Sequence, residues 1–98
     1  MKNKISNINK AFESRVRLGI MSVLMVENQV EFNTLKEVLE LTDGNLASHL
    51  KALEKEEYLS VEKVFVSRKP KTTYNVTING RTAFQEHLNA LENLIKSM

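Results

Sequence analysis

A mainly α-helical fold carrying one small β-hairpin, of the α+β class and in the order α-(β)-α-α-β-β-α, is what this 98-residue sequence predicts. Three observations carry that reading. Apolar residues recur at helical spacing near both ends of the chain, in residues 5–27 and 78–97. Leu46, Leu50 and Leu53 mark a shorter helix in the middle. Residues 61–77, VEKVFVSRKPKTTYNVT, then replace the helical period with the β-branched and aromatic residues that strands favour. No low-complexity run, repeat or Pro/Gly linker interrupts the chain, so one domain over residues 1–98 is expected.

Each element follows in turn. Ile5, Ile8 and Phe12 stand at i, i+3 and i+7, and Val16, Ile20, Val23 and Leu24 continue the stripe. They predict a first helix over residues 7–27, widened by Leu18, Met21 and Met25. Asn28-Gln29 ends it. Val30-Glu31-Phe32 reads as a very short strand that can bridge to the later hairpin. Asn33 is the expected N-cap of a second helix that turns Leu35, Val38 and Leu39 inward. Thr42 caps a third helix over residues 43–56, and Asp43-Gly44 suit the tight turn at its start. Opposite its leucines lie Gly44, Ser48, Lys51, Ala52 and Lys55, with Asn45 and His49 at the edge.

Val61, Val64, Phe65, Val66, Tyr74 and Val76 furnish the two strands of the hairpin. Ser67-Arg68-Lys69-Pro70-Lys71 reads as the loop between them, stiffened by Pro70. Thr77 caps the last helix, over residues 78–97. There Phe84, Leu88, Leu91, Ile95 and Met98 form an apolar seam of the coiled-coil kind. Two long apolar helices exceed what one small core can cover, so a homodimer is expected. Its interface would hold Ile5, Ile8 and Phe12 with Phe84, Leu88, Leu91 and Ile95.

The charge is small overall, +2, but unevenly placed. Lys63, Arg68, Lys69, Lys71 and Arg81 meet no carboxylate between Val64 and Gln85, whereas Glu31, Glu37, Glu40 and Asp43 face Lys36 alone. Like charge gathered at a hairpin tip calls for an anionic partner. The absence of cysteine excludes disulfides and thiolate metal sites. The basic start lacks the apolar core of a signal peptide, and the run of residues 18–26 is too short for a bilayer, so a soluble cytoplasmic protein without membrane contact is expected. His49 and His87, the two histidines, fall on different helices. His49 reads as a packing or phosphate-contact residue and His87 as an ordinary helix-face residue. No metal-ligand cluster, phosphate loop or nucleophile motif appears, so no cofactor, metal or enzymatic activity is expected.

With that order in place, the segment Leu41-Thr42-Asp43-Gly44-Asn45-Leu46-Ala47-Ser48-His49-Leu50, followed by Leu53-Glu54-Lys55 and Tyr58-Leu59, carries a resemblance. So do Arg68-Lys69-Pro70-Lys71-Thr72-Thr73-Tyr74 and Thr77-x-x-Gly80-Arg81-x-Ala83-Phe84. Together they resemble the small single-domain winged helix-turn-helix transcriptional regulators of the MarR and ArsR groups, over residues 9–94. The resemblance implies a homodimer that binds a pseudo-palindromic double-stranded DNA operator and regulates transcription, chiefly as a repressor. The recognition helix would enter the major groove and the wing the minor groove. Carried over by position, Gly44, Asn45, Ser48, His49 and Lys51 belong to the recognition helix, and Arg68, Lys69 and Lys71 to the wing. Thr42 and Lys55 complete the candidate DNA-binding set.

Two positions depart from that pattern. Glu57 and Ser67 stand where such regulators carry glycine, and a positive φ costs other residues about 1 kcal/mol. Whether either turn keeps its shape is therefore open at the level of sequence. The competing reading is a winged helix that grips an acidic protein instead of DNA. Gly44, Ser48 and Ala52 argue against it, because protein-binding faces present larger anchors. No convergent polar group marks an effector pocket.

Overall fold

A computed structural model describes residues 5–97. Met98, the last position of the expected seam, lies outside them.

The expected first helix is two pieces. Asn9 accepts the Ala11 amide and starts a short 3-10 turn, Lys10–Phe12. Ser14 is extended, at φ −159°, and its hydroxyl accepts the Arg17 amide, so α1 begins only at Arg15 and runs Arg15–Val26. Both breaks come from short polar side chains that compete for backbone amides. The apolar stripe continues across them, which is why periodicity alone reads one helix.

β1, Val30–Glu31, is the expected short strand. α2, Phe32–Leu39, begins one residue before the anticipated cap: Glu31 is the N-cap, and Asn33 lies inside the helix. Leu35 is fully buried, but Val38 is exposed rather than inward, because this eight-residue helix offers the core only one narrow face. Glu40 closes it in the left-handed region, φ 53°. α3, Asp43–Lys55, has the expected cap, with Thr42 Oγ1 accepting the Asn45 amide at 3.2 Å, and buries Leu46, Leu50 and Leu53. At its end Glu57 takes φ 62°, and the Tyr58 amide reaches back to the Leu53 carbonyl at 3.0 Å. The left-handed helix stop is thus kept without glycine.

β2, Leu59–Val66, and β3, Lys69–Val76, pair antiparallel through a turn of only two residues, Ser67 and Arg68, at φ 52° and 67°. Positive φ at both central positions is the twist-matched hairpin turn that asparagine and glycine usually occupy. The expected five-residue loop is therefore corrected: Lys69, Pro70 and Lys71 are strand. Pro70 lies opposite Phe65, beyond the reach of β1, so its missing N–H deprives no third strand. Val30 pairs with Tyr74, giving a three-stranded sheet in the order β1-β3-β2.

α4, Ile78–Lys96, is capped by Thr77, whose hydroxyl accepts the Gly80 amide at 2.8 Å and donates to the Glu57 carbonyl at 2.7 Å. Gly80 passes so close to the preceding chain that a Cβ there would sit 2.1 Å from the Tyr58 carbonyl oxygen. This contact is the physical content of the Thr-x-x-Gly phrase.

The buried face of α4 is Gly80, Phe84, His87 and Ala90. His87 is only 3% exposed, not a helix-face residue. Its Nδ1 accepts the Asn9 amide at 3.1 Å, and its ring meets Phe12 at 5.3 Å. Phe12 is wholly enclosed, 5.2 Å from both Tyr58 and Phe84. Phe12 and Phe84 thus belong to the protomer's own core rather than to a dimer seam. Leu88 and Ile95 remain exposed on α4, at 40% and 71%. The radius of gyration, 15.0 Å, exceeds the roughly 13 Å of a compact chain this long, in keeping with an elongated shape of 58 × 25 × 21 Å.

Candidate nucleic-acid interface

The leucines of α3 point into the core, so helical geometry sends the opposite side of the same element outward. Gly44, Asn45, Ser48, Lys51 and Lys55 are all exposed, and Ala52 is half-buried. A Cβ at Gly44 would meet nothing within 4 Å, so the helix start stands open. Thr42 is exposed but its hydroxyl is committed to the cap. Among the described residues, Lys51, Lys55, Arg68 and Lys69 enter no ion pair, whereas Lys36 is held by Asp43 at 2.8 Å. The acidic stretch around α2 therefore neutralises part of itself and leaves these four cations without a carboxylate partner.

The hairpin tip carries Arg68 at the second left-handed position and Lys69 beside it, both exposed. Lys71 differs from what its sequence position suggests. Its ammonium lies 3.2 Å from Glu31 Oε1, on the side of the hairpin where β1 packs, and the residue is half-buried. One of the three expected wing cations is thus already paired within the fold.

His49 is half-buried at the flank of α3. Its Nδ1 accepts a hydrogen bond from Arg17 Nε at 3.0 Å, and Arg17 also donates from Nη1 to the Ala11 carbonyl at 3.3 Å. Burial, and then the Arg17 charge, lower the His49 pKa from its ordinary value. Sequence reasoning does not single out Arg17. A signal exists all the same: a guanidinium set within the apolar stripe of α1 needs a partner. His87, by contrast, sits apart from α3 and the hairpin, as a core link between the 3-10 turn and α4.

Residues 16–95 match the family of winged helix DNA-binding domains. The chain belongs to that family. An uncharacterized protein of Methanocaldococcus jannaschii, MJ0432, is 39% identical over 89 residues, covering 91% of this chain and 97% of that protein. The structure of a transcriptional regulator homologue from Pyrococcus horikoshii superposes with a TM-score of 0.82 at 32% identity, over 89% of this chain and 86% of the other. The YusO protein of Bacillus subtilis, at 13% identity, shares the fold alone, with a TM-score of 0.77 over 96% of this chain and 66% of its own. The Pyrococcus horikoshii protein is a transcriptional regulator homologue, and the α+β winged-helix architecture here is shared with it. No helix among the described residues is long and apolar enough to cross a membrane.

Proposed function

We propose that this chain is a cytoplasmic, homodimeric regulator, chiefly a repressor, that binds double-stranded DNA at a pseudo-palindromic operator. The observation that carries this reading is the outward face of α3, small and polar, with two lysines free of ion pairs among the described residues. Such a face suits a major groove: Asn45 and Ser48 offer donors and acceptors to base edges, and Lys51 and Lys55 offer charge to phosphates. Arg68, at a tight tip and in no ion pair among the described residues, suits a narrow minor groove. A dimer would set two copies of α3 about 34 Å apart along the duplex. Leu88, Leu91 and Ile95 of α4, together with Ile5 and Ile8, furnish its apolar contact.

One observation favours the competing protein-docking reading. Phe65, on the hairpin, is 74% exposed, as a protein-binding anchor would be. Selection of bound sequences from random duplex DNA separates the two. Enrichment of a two-fold-related site supports the operator reading; recovery of no duplex at low salt leaves the hairpin to a protein partner.

A further inference from the structure

We propose that His49 is a neutral hydrogen-bond donor to a DNA backbone phosphate, held in that role by Arg17 of α1; the proposal rests on the DNA-binding reading of α3 above. An arginine Nε always carries its proton, so the 3.0 Å contact with His49 Nδ1 makes Nδ1 the acceptor. The ring proton of the neutral imidazole is then on Nε2, across the ring. Among the described residues no side-chain nitrogen or oxygen is buried without a partner. Nε2 has no partner among those residues either, so it reaches solvent and presents an N–H donor.

Three features point that donor at a phosphate rather than a base. His49 lies at the flank of α3, between the leucine face and the exposed face, where a helix in a groove meets the sugar-phosphate wall. Arg17 stands behind the ring, where its charge attracts the phosphate anion and its Nε–H occupies the Nδ1 lone pair of the imidazole. Arg17 is itself fixed, since its second bond to the Ala11 carbonyl ties it to the 3-10 turn ahead of α1. His49 is thus oriented before any DNA arrives. Arg17 is a positioning residue, while the contact belongs to His49.

A neutral donor has a signature that a cation lacks. It strengthens binding without releasing a counterion, so its loss leaves the salt dependence unchanged. The test is a titration of the full chain against one fixed duplex of mixed sequence, about 30 base pairs or three helical turns, across a salt series. His49→Ala is expected to weaken binding about tenfold with the wild-type slope of log affinity against log salt. Lys55→Ala is expected to make that slope shallower by about 0.9. His49→Gln, which keeps an uncharged N–H, should recover most of the loss.

Nitrogen NMR of the labelled histidines supplies the readout for Arg17. In the wild type His49 should be the Nε2–H tautomer and titrate below about 6.5. In Arg17→Met it should show both tautomers and titrate higher. A wild-type ring protonated at Nδ1 overturns the proposal, as does His49→Ala binding with unchanged affinity or an altered slope. Wild-type protein that binds no duplex at all overturns the DNA-binding reading, and this inference with it.

Discussion

Gly80 is required by a contact, not by a dihedral angle. None of the three glycines has a positive φ, yet a methyl at residue 80 would press into the Tyr58 carbonyl. Backbone cannot yield there as a flexible side chain would, so Gly80→Ala should cost about 3 kcal/mol. That corresponds to a melting temperature lower by roughly 10–20 °C, measurable by calorimetry. His87 gives a second residue-scale expectation. Burial lowers its pKa, and the charge of Glu13 offsets this only in part. The unfolded chain therefore takes up the proton first, near pH 6.5 or so. Stability is fully present above that pH and declines as acidity increases toward the folded-state value. His49, also lowered, acts with the same sign. Urea midpoints measured at about pH 7.5 and pH 5 should fall for the wild type, and fall less for His87→Phe.

At the scale of elements, α4 divides its apolar residues between two sides. Phe84, His87 and Ala90 close the core, while Leu88 and Ile95 face outward. Leu88→Asp with Ile95→Asp should therefore leave the helical circular dichroism intact and turn a dimer into a monomer in sedimentation velocity. A wild-type monomer at micromolar concentration would exclude the proposed interface. For the hairpin, Arg68→Ala should weaken DNA binding by about 1–3 kcal/mol and flatten any preference for A·T pairs flanking the half-site. Affinities on duplexes that differ only in those flanks measure it. The element order, α3 with its Thr42 cap, and the paired strands are all legible in the sequence, because leucine spacing and β-branched runs are strong local signals. The break at Ser14 is not, since the apolar stripe runs through it and only a backbone amide reveals the cap. The two-residue turn stays hidden because serine and arginine lack the preference for positive φ that asparagine and glycine advertise. The split of the seam at Phe84 depends on its ring contact with Phe12, distant in sequence, and the Arg17–His49 pair among the candidate site residues likewise joins two helices far apart in the chain.

The whole molecule sets its electrostatics by pairing, not by its total of +2. Lys71 is engaged by Glu31, so each chain has Lys51, Lys55, Arg68 and Lys69 ready for phosphates. If all four engage in both chains of a dimer, log affinity should fall with log salt at a slope of about −7. Glu31→Gln, which releases Lys71, should tighten binding and steepen that slope; an unchanged slope would show that Lys71 stays clear of the DNA. The turns have a separate consequence. Gln29, Glu40, Glu57, Ser67 and Arg68 all hold left-handed backbone without being glycine. At about 1 kcal/mol each, the combined strain is similar in size to the net stability of a small domain, about 5–15 kcal/mol. Each site that tolerates glycine is an untapped reserve of thermal tolerance. A descendant of this chain entering a hotter habitat could adapt at its corners alone, its core and its groove-facing side chains passing unchanged from ancestor to heir.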